Sequence, residues 1–194
     1  MIDRRRFLLS SACVTAFAAP ALAQQQDAPK RPPRWMMEDT IGNVITNSDF
    51  QGKFVLLFFG YTFCPDICPT TLSTIAETMD LLGDKAEEVQ PLFVTVDPKR
   101  DTATVLREYT NYMHPAILGL RGPAAYTEHM AKAFKIKYVI HEPDAGDPEN
   151  YAVDHSASAI LVGPDGFPIK RYPHGISSQV MTEDLLAVMD QVTQ

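Results

Sequence analysis

Apolar residues fall in blocks whose period changes along the chain. The densest block is Phe54-Val55-Leu56-Leu57-Phe58-Phe59, an unbroken run that reads as a strand buried on both faces. The period then becomes helical. Between Thr71 and Leu82, the side chains of Leu72, Ile75, Ala76, Met79 and Leu82 share one face, and Gly83 supplies a stop. Residues 89–96 read as a second buried strand. The spacing predicts a helix over 102–113, capped by Asp101, with Val105, Leu106, Tyr109, Tyr112 and Met113 inward. His114-Pro115 breaks it. A short strand at 116–120 follows, then a helix from Pro123 with Tyr126, Met130, Ala133 and Phe134 on one face.

Further on, 136–140, 151–154, 157–162 and 167–172 read as strands, the last two joined by the turn Gly163-Pro164-Asp165-Gly166. Residues 141–150 form an acidic loop without periodicity. Ser178 caps a last helix with Leu185, Leu186, Met189 and Val192 inward. Upstream, 35–50 reads as a β-hairpin around Ile41-Gly42-Asn43-Val44, entering the first strand through Gln51-Gly52. Strands alternating with helices imply an α/β domain: one mixed central sheet flanked by helices, with the hairpin as an N-terminal extension.

The chain's 194 residues suffice for one domain with appendages, and a net charge of −7 offers no basic face for nucleic acid. Residues 1–23 read as an export signal. Arg4-Arg5-Arg6-Phe7-Leu8 is a basic, twin-arginine-like start, followed by a short apolar stretch and the small-x-small site Ala21-Leu22-Ala23. Cleavage there would remove three arginines and Asp3, leaving the rest at −9. Residues 24–34, with Pro29, Pro32 and Pro33, read as a linker, and 35–194 as the domain. The expected location is the periplasm, an oxidising compartment. Without Cys13 the exported chain keeps two cysteines, Cys64 and Cys68.

Those two lie on the turn between the first buried strand and its helix, in Gly60-Tyr61-Thr62-Phe63-Cys64-Pro65-Asp66-Ile67-Cys68-Pro69. A helix start presents unpaired N–H groups and a positive dipole end, which favour thiolates. A cysteine pair on the first strand–helix turn of such a sheet is the thioredoxin arrangement. Residues four apart on a helical turn sit roughly 6 Å apart at Cα, within reach of a disulfide. Opened, the same sulfurs can hold a soft ion: two thiolates suit Cu(I), and an added imidazole suits Cu(II). A structural staple is the plainer reading, but so small a loop gains little from closure. Five histidines, His114, His129, His141, His155 and His174, are candidates for a third ligand. His155 stands out because it falls between two strands, where such a sheet faces its cysteines. Asp97 and Asp101 are read as turn and cap residues, and Tyr61 and Phe63 as packing over the site.

The cysteine motif, then Val96-Asp97-Pro98-Lys99-Arg100-Asp101, then Val153-Asp154-His155-Ser156 occur in an order that resembles the Sco/SenC family from about Trp35 onward. That resemblance implies a thioredoxin-like fold and one copper ion held by Cys64, Cys68 and His155. The spacing of the pair separately allows a Cys64–Cys68 disulfide in the oxidised form. The implied role is a metallochaperone for the copper A centre of cytochrome c oxidase, with oxidase subunit II or another copper-carrier protein as partner. Relatives with a retained anchor add possible membrane association. The alternative is a thiol–disulfide oxidoreductase using Cys64 and Cys68 on the same partners. A store or sensor with the same ligands is a further option. A peroxidase is disfavoured, because Leu57 and Tyr61 stand where that chemistry's usual Pro and Thr would be.

Overall fold

A computed structural model describes residues 31–143, 146–148 and 150–192. The predicted signal and most of the linker lie outside them. Among the described residues, nine strands and four α-helices follow in the order β1 (Met36–Asp39), β2 (Val44–Thr46), β3 (Phe54–Gly60), α1 (Ile67–Leu82), β4 (Val89–Thr95), α2 (Ala103–Met113), β5 (Leu118–Arg121), α3 (Ala124–Ala133), β6 (Tyr138–Ile140), β7 (Val153–His155), β8 (Ala159–Val162), β9 (Pro168–Tyr172) and α4 (Ser178–Val192). Seven strands form the main sheet in the order β2-β1-β5-β4-β3-β8-β9. The chain is an α/β protein with a mixed, helix-flanked central sheet.

β3 lies inside the sheet, pairing parallel with β4 on one side and antiparallel with β8 on the other, and every one of its positions is buried. Each of its Leu and Phe side chains contributes roughly 1.5–3 kcal/mol of burial. The predicted inner face of α1 is buried as read, from Leu72 to Leu82. The N-terminal hairpin forms, and β1 also pairs with β5, so the extension widens the sheet. Gly166, at φ 81°, closes the β8–β9 turn.

Several expectations need correction. β6 and β7 pair antiparallel as a separate two-stranded ribbon and do not join the main sheet. α2 is capped by Thr102, whose hydroxyl accepts from Val105 N–H, and not by Asp101. Tyr112 points to solvent at 86% exposure and Tyr126 is 44% exposed. The buried positions there are Leu106 and Thr110 in α2, and Thr127, Met130 and Ala131 in α3. At α4, Ser177 accepts from Val180 N–H, while Ser178 bonds Glu77 of α1. α3 ends in a Schellman motif: Ile136 N–H reaches Ala131 O, Lys135 N–H reaches Lys132 O, and Lys135 takes φ 54°.

Candidate metal centre

β3 ends at Gly60, and residues 61–66 carry the chain from its carboxyl end into α1. α1 starts at Ile67, earlier than the apolar pattern indicates, because Pro69 fits a first turn where no N–H is required. Cys68 therefore lies inside that turn and is fully buried, whereas Cys64 in the loop is half-buried. Both are free thiols in this structure. Cys64 N–H bonds back to Tyr61 O at 3.3 Å.

His155 is the last residue of β7, opposite Tyr138 in the ribbon. Its Nε2 lies 3.2 Å from Cys68 Sγ and its Nδ1 lies 3.1 Å from Ser156 O. A carbonyl only accepts, so that contact assigns the proton to Nδ1 and leaves the Nε2 lone pair facing the sulfur. The ring is held edge-on by Tyr61 at 5.8 Å and Phe58 at 6.0 Å. The sulfurs of Cys64 and Cys68 and a ring nitrogen of His155, atoms that could hold a metal ion, all lie within 4.8 Å of one another.

The electrostatics revise one expectation. The helix start was expected to favour thiolates, but burial pushes the Cys68 thiol strongly up, and the charges of Cys64 and Asp101 push it further; the only opposing effect is the Tyr61 backbone hydrogen bond. Burial likewise pushes His155 down, against its hydrogen bond to Ser156. The resting pair is thus a neutral thiol facing a neutral imidazole. A bound cation reverses that preference by stabilising the thiolate directly.

The other four histidines are engaged elsewhere. His114 meets Asp80, His129 meets Arg34 O, His141 meets Asp154, and His174 meets the hydroxyl of Thr71. None joins the sulfur group.

Sequence reasoning missed the supports. Asp101 is fully buried and accepts from Thr62 N–H at 3.1 Å, Thr62 Oγ1 at 2.6 Å and Thr95 Oγ1 at 2.5 Å, tying the cysteine loop to the end of β4. Asp97 ion-pairs with buried Arg100 and accepts from Tyr151 Oη at 2.8 Å. Arg100 lies over the rings of Tyr61, Phe63 and Tyr151. An arginine between two acids beside a buried strand was the only signal available for this.

The SCO1/SenC family model matches residues 23–190. The chain belongs to the SCO1/SenC family. This SCO1/SenC chain is 37% identical over 134 residues to an SCO2-like protein of Rickettsia felis, covering 69% of the chain and 65% of that protein. It is 37% identical to the mitochondrial SCO2 homolog of Bos taurus, covering 76% of the chain and 55% of the relative. Among solved structures, yeast Sco1 with copper bound aligns at TM-score 0.76 and 31% identity, covering 84% of this chain and 90% of that one. Arabidopsis thaliana ScoI with copper bound aligns at 0.75 and 29%, covering 84% and 99%. These neighbours make the fold thioredoxin-like.

Proposed function

We propose that this chain is an exported copper carrier for the assembly of cytochrome c oxidase, holding one ion through Cys64 Sγ, Cys68 Sγ and His155 Nε2. The observation that carries the reading is the convergence of those three atoms within 4.8 Å from two segments far apart in sequence. Two sulfurs and one imidazole form a donor set suited to both copper oxidation states. The residues fit such a cargo: Nε2 already presents a lone pair, and only the thiol protons must leave. Membership of a family with copper-bound members supports the same reading.

Delivery proceeds by ligand exchange. Partly buried Cys64 is the more accessible sulfur and the one that an incoming partner thiolate can approach, while Cys68 and His155 keep hold. The acceptor, following the family resemblance, is the cysteine set of oxidase subunit II or another copper carrier. Residues 1–23 direct export to the periplasm. No helix among the described residues is long and apolar enough to cross a membrane.

The test is an anaerobic Cu(I) competition titration of the reduced protein beside the Cys64→Ser/Cys68→Ser variant. One tightly held copper per chain, lost in the variant, is expected; equal binding by both proteins sinks the reading. A second reading, thiol–disulfide exchange on the same partners, is favoured by the exposure difference between the two free thiols. It requires reduction of a disulfide substrate faster than by a free dithiol at equal concentration.

A further inference from the structure

The turn between β4 and α2 supplies no ligand to the candidate centre, yet it touches both halves of it. Arg100 is buried there. Its Nε pairs with Asp97, its Nη1 donates to Tyr151 O at 2.9 Å, and its guanidinium lies 3.7 Å from the centre of the Tyr151 ring. Tyr151 Oη returns to Asp97, closing a three-residue loop of contacts. Tyr151 leads directly into β7 and His155. The guanidinium also lies 5.3 Å from the centre of the Tyr61 ring and 5.2 Å from that of Phe63, the two rings just ahead of Cys64.

We propose that Arg100 is a positioning residue for His155, fixing the segment that carries the imidazole against the loop that carries the sulfurs. It thereby sets the preference of the centre between Cu(II) and Cu(I). The inference rests on the copper reading above.

The asymmetry follows from how each ligand is held. Cys64 and Cys68 sit on one turn, and Asp101 fastens that turn through Thr62. Arg100 reaches that turn through the rings of Tyr61 and Phe63, at 5.3 Å and 5.2 Å, whereas Asp101 is hydrogen-bonded to its backbone. His155 sits on a ribbon of two three-residue strands outside the main sheet. A pair of short strands is marginal by itself and needs a fastening to the body. Stacked and hydrogen-bonded to Tyr151, Arg100 provides a buried one. Loosening it displaces the imidazole and leaves the sulfurs in place. Cu(I) is satisfied by two thiolates, whereas Cu(II) gains from the nitrogen. A mere change of charge near the thiolates would instead weaken both oxidation states together.

Two variants of the full protein separate these cases. Arg100→Lys keeps the charge opposite Asp97 but loses the planar fork and its stacking. Tyr151→Leu removes the ring and hydroxyl but leaves Arg100. In both, Cu(II) affinity should fall about tenfold or more while Cu(I) affinity stays within about threefold, as expected for loss of a nitrogen ligand alone. The Cu(II) sulfur-to-metal absorption band should shift. In the metal-free variants, the His155 ring nitrogen signals in NMR should broaden or split while those of the other histidines hold. Equal losses for the two oxidation states, or wild-type affinities with an unchanged His155 spectrum, overturn the proposal. A wild-type protein that binds no copper would defeat the functional reading instead, and the metal-free His155 spectra would still decide the positioning role.

Discussion

The sulfur of Cys68 occupies the space beside Gly60 where any other residue would place its side chain. A β-carbon built on Gly60 falls 2.5 Å from that sulfur and 2.8 Å from Cε2 of Phe93. Both contacts are below van der Waals distance, and both neighbours are fully buried. The end of β3 is therefore shaped to receive the buried thiol.

Gly60→Ala should consequently act on the site and the core together. Overpacking of this kind costs about 1–3 kcal/mol. The variant should melt lower than wild type, and Cu(I) affinity should drop because Cys68 is displaced. Calorimetry with a competition titration checks both. A variant with unchanged affinity would mean that the sulfur can move without loss of the site.

Asp101 is the second point of control. Asp101→Ala would leave Thr62 N–H, Thr62 Oγ1 and Thr95 Oγ1 without their acceptor. Orphaned buried donors cost about 1–3 kcal/mol each, less whatever water recovers. The expected outcome is a loss of several kcal/mol in denaturant unfolding and faster amide exchange at 62–64. Thr62→Val, which removes only the hydroxyl, should lose roughly a third to a half as much by the same reasoning.

Lys135 offers a gain. It is the one non-glycine residue at positive φ among the described residues. The left-handed conformation costs about 1–2 kcal/mol for a residue with a β-carbon. Glycine returns about half of that benefit to the unfolded chain as entropy. Lys135→Gly should stabilise by roughly 0.5–1 kcal/mol, raising Tm by about 1–4 °C. A lower Tm would show that the Lys135 side chain contributes more than its backbone costs.

The pH dependence has a defined sign at Asp184. The hydrogen bond from Lys170 holds its carboxyl below the ordinary value of 3.8, with help from Tyr172 and against a smaller effect of burial. A depressed carboxyl stabilises the fold above its unfolded value, and that contribution disappears as pH falls through the folded one. The pair is partly exposed, so its worth is under about 1 kcal/mol. Asp184→Asn should therefore narrow the stability gap to wild type as pH drops from about 5 toward 2, the range in which a depressed carboxylate titrates. A gap that widens on acidification would reverse the assignment.

The sequence showed most clearly what depends on neighbours along the chain. The run at 54–59 read as a central strand because six apolar residues in succession have few other destinations. The face from Leu72 to Leu82 read as buried because helical spacing is local. The proximity of Cys64 and Cys68 followed from their offset. Contacts across the sheet left no such trace. Thr62 and Asp101 are 39 residues apart, and Cys68 and His155 are 87 apart. His155 was singled out by its place between strands and by the resemblance, not by periodicity. Asp101 was misread as a helix cap because an acid ahead of a helix usually is one, and its buried role appears only once Thr62 is brought beside it. The β6–β7 ribbon was misplaced because alternation specifies a strand but not the sheet it joins. Tyr112 and Tyr126 lay on plausible helical faces that had no partner surface to cover them.

The two sulfurs lie at unequal depth. Cys68 is sealed beneath the strand end and the imidazole, while Cys64 stands at the protein's boundary. To a bulky alkylating reagent the pair should behave as a single reactive group, consumed in one fast phase at Cys64, with Cys68 following only as the loop opens. Under the proposed copper-carrier function, the same lopsidedness would give exchange of the cargo a direction, with a threshold at one sulfur and an anchor at the other.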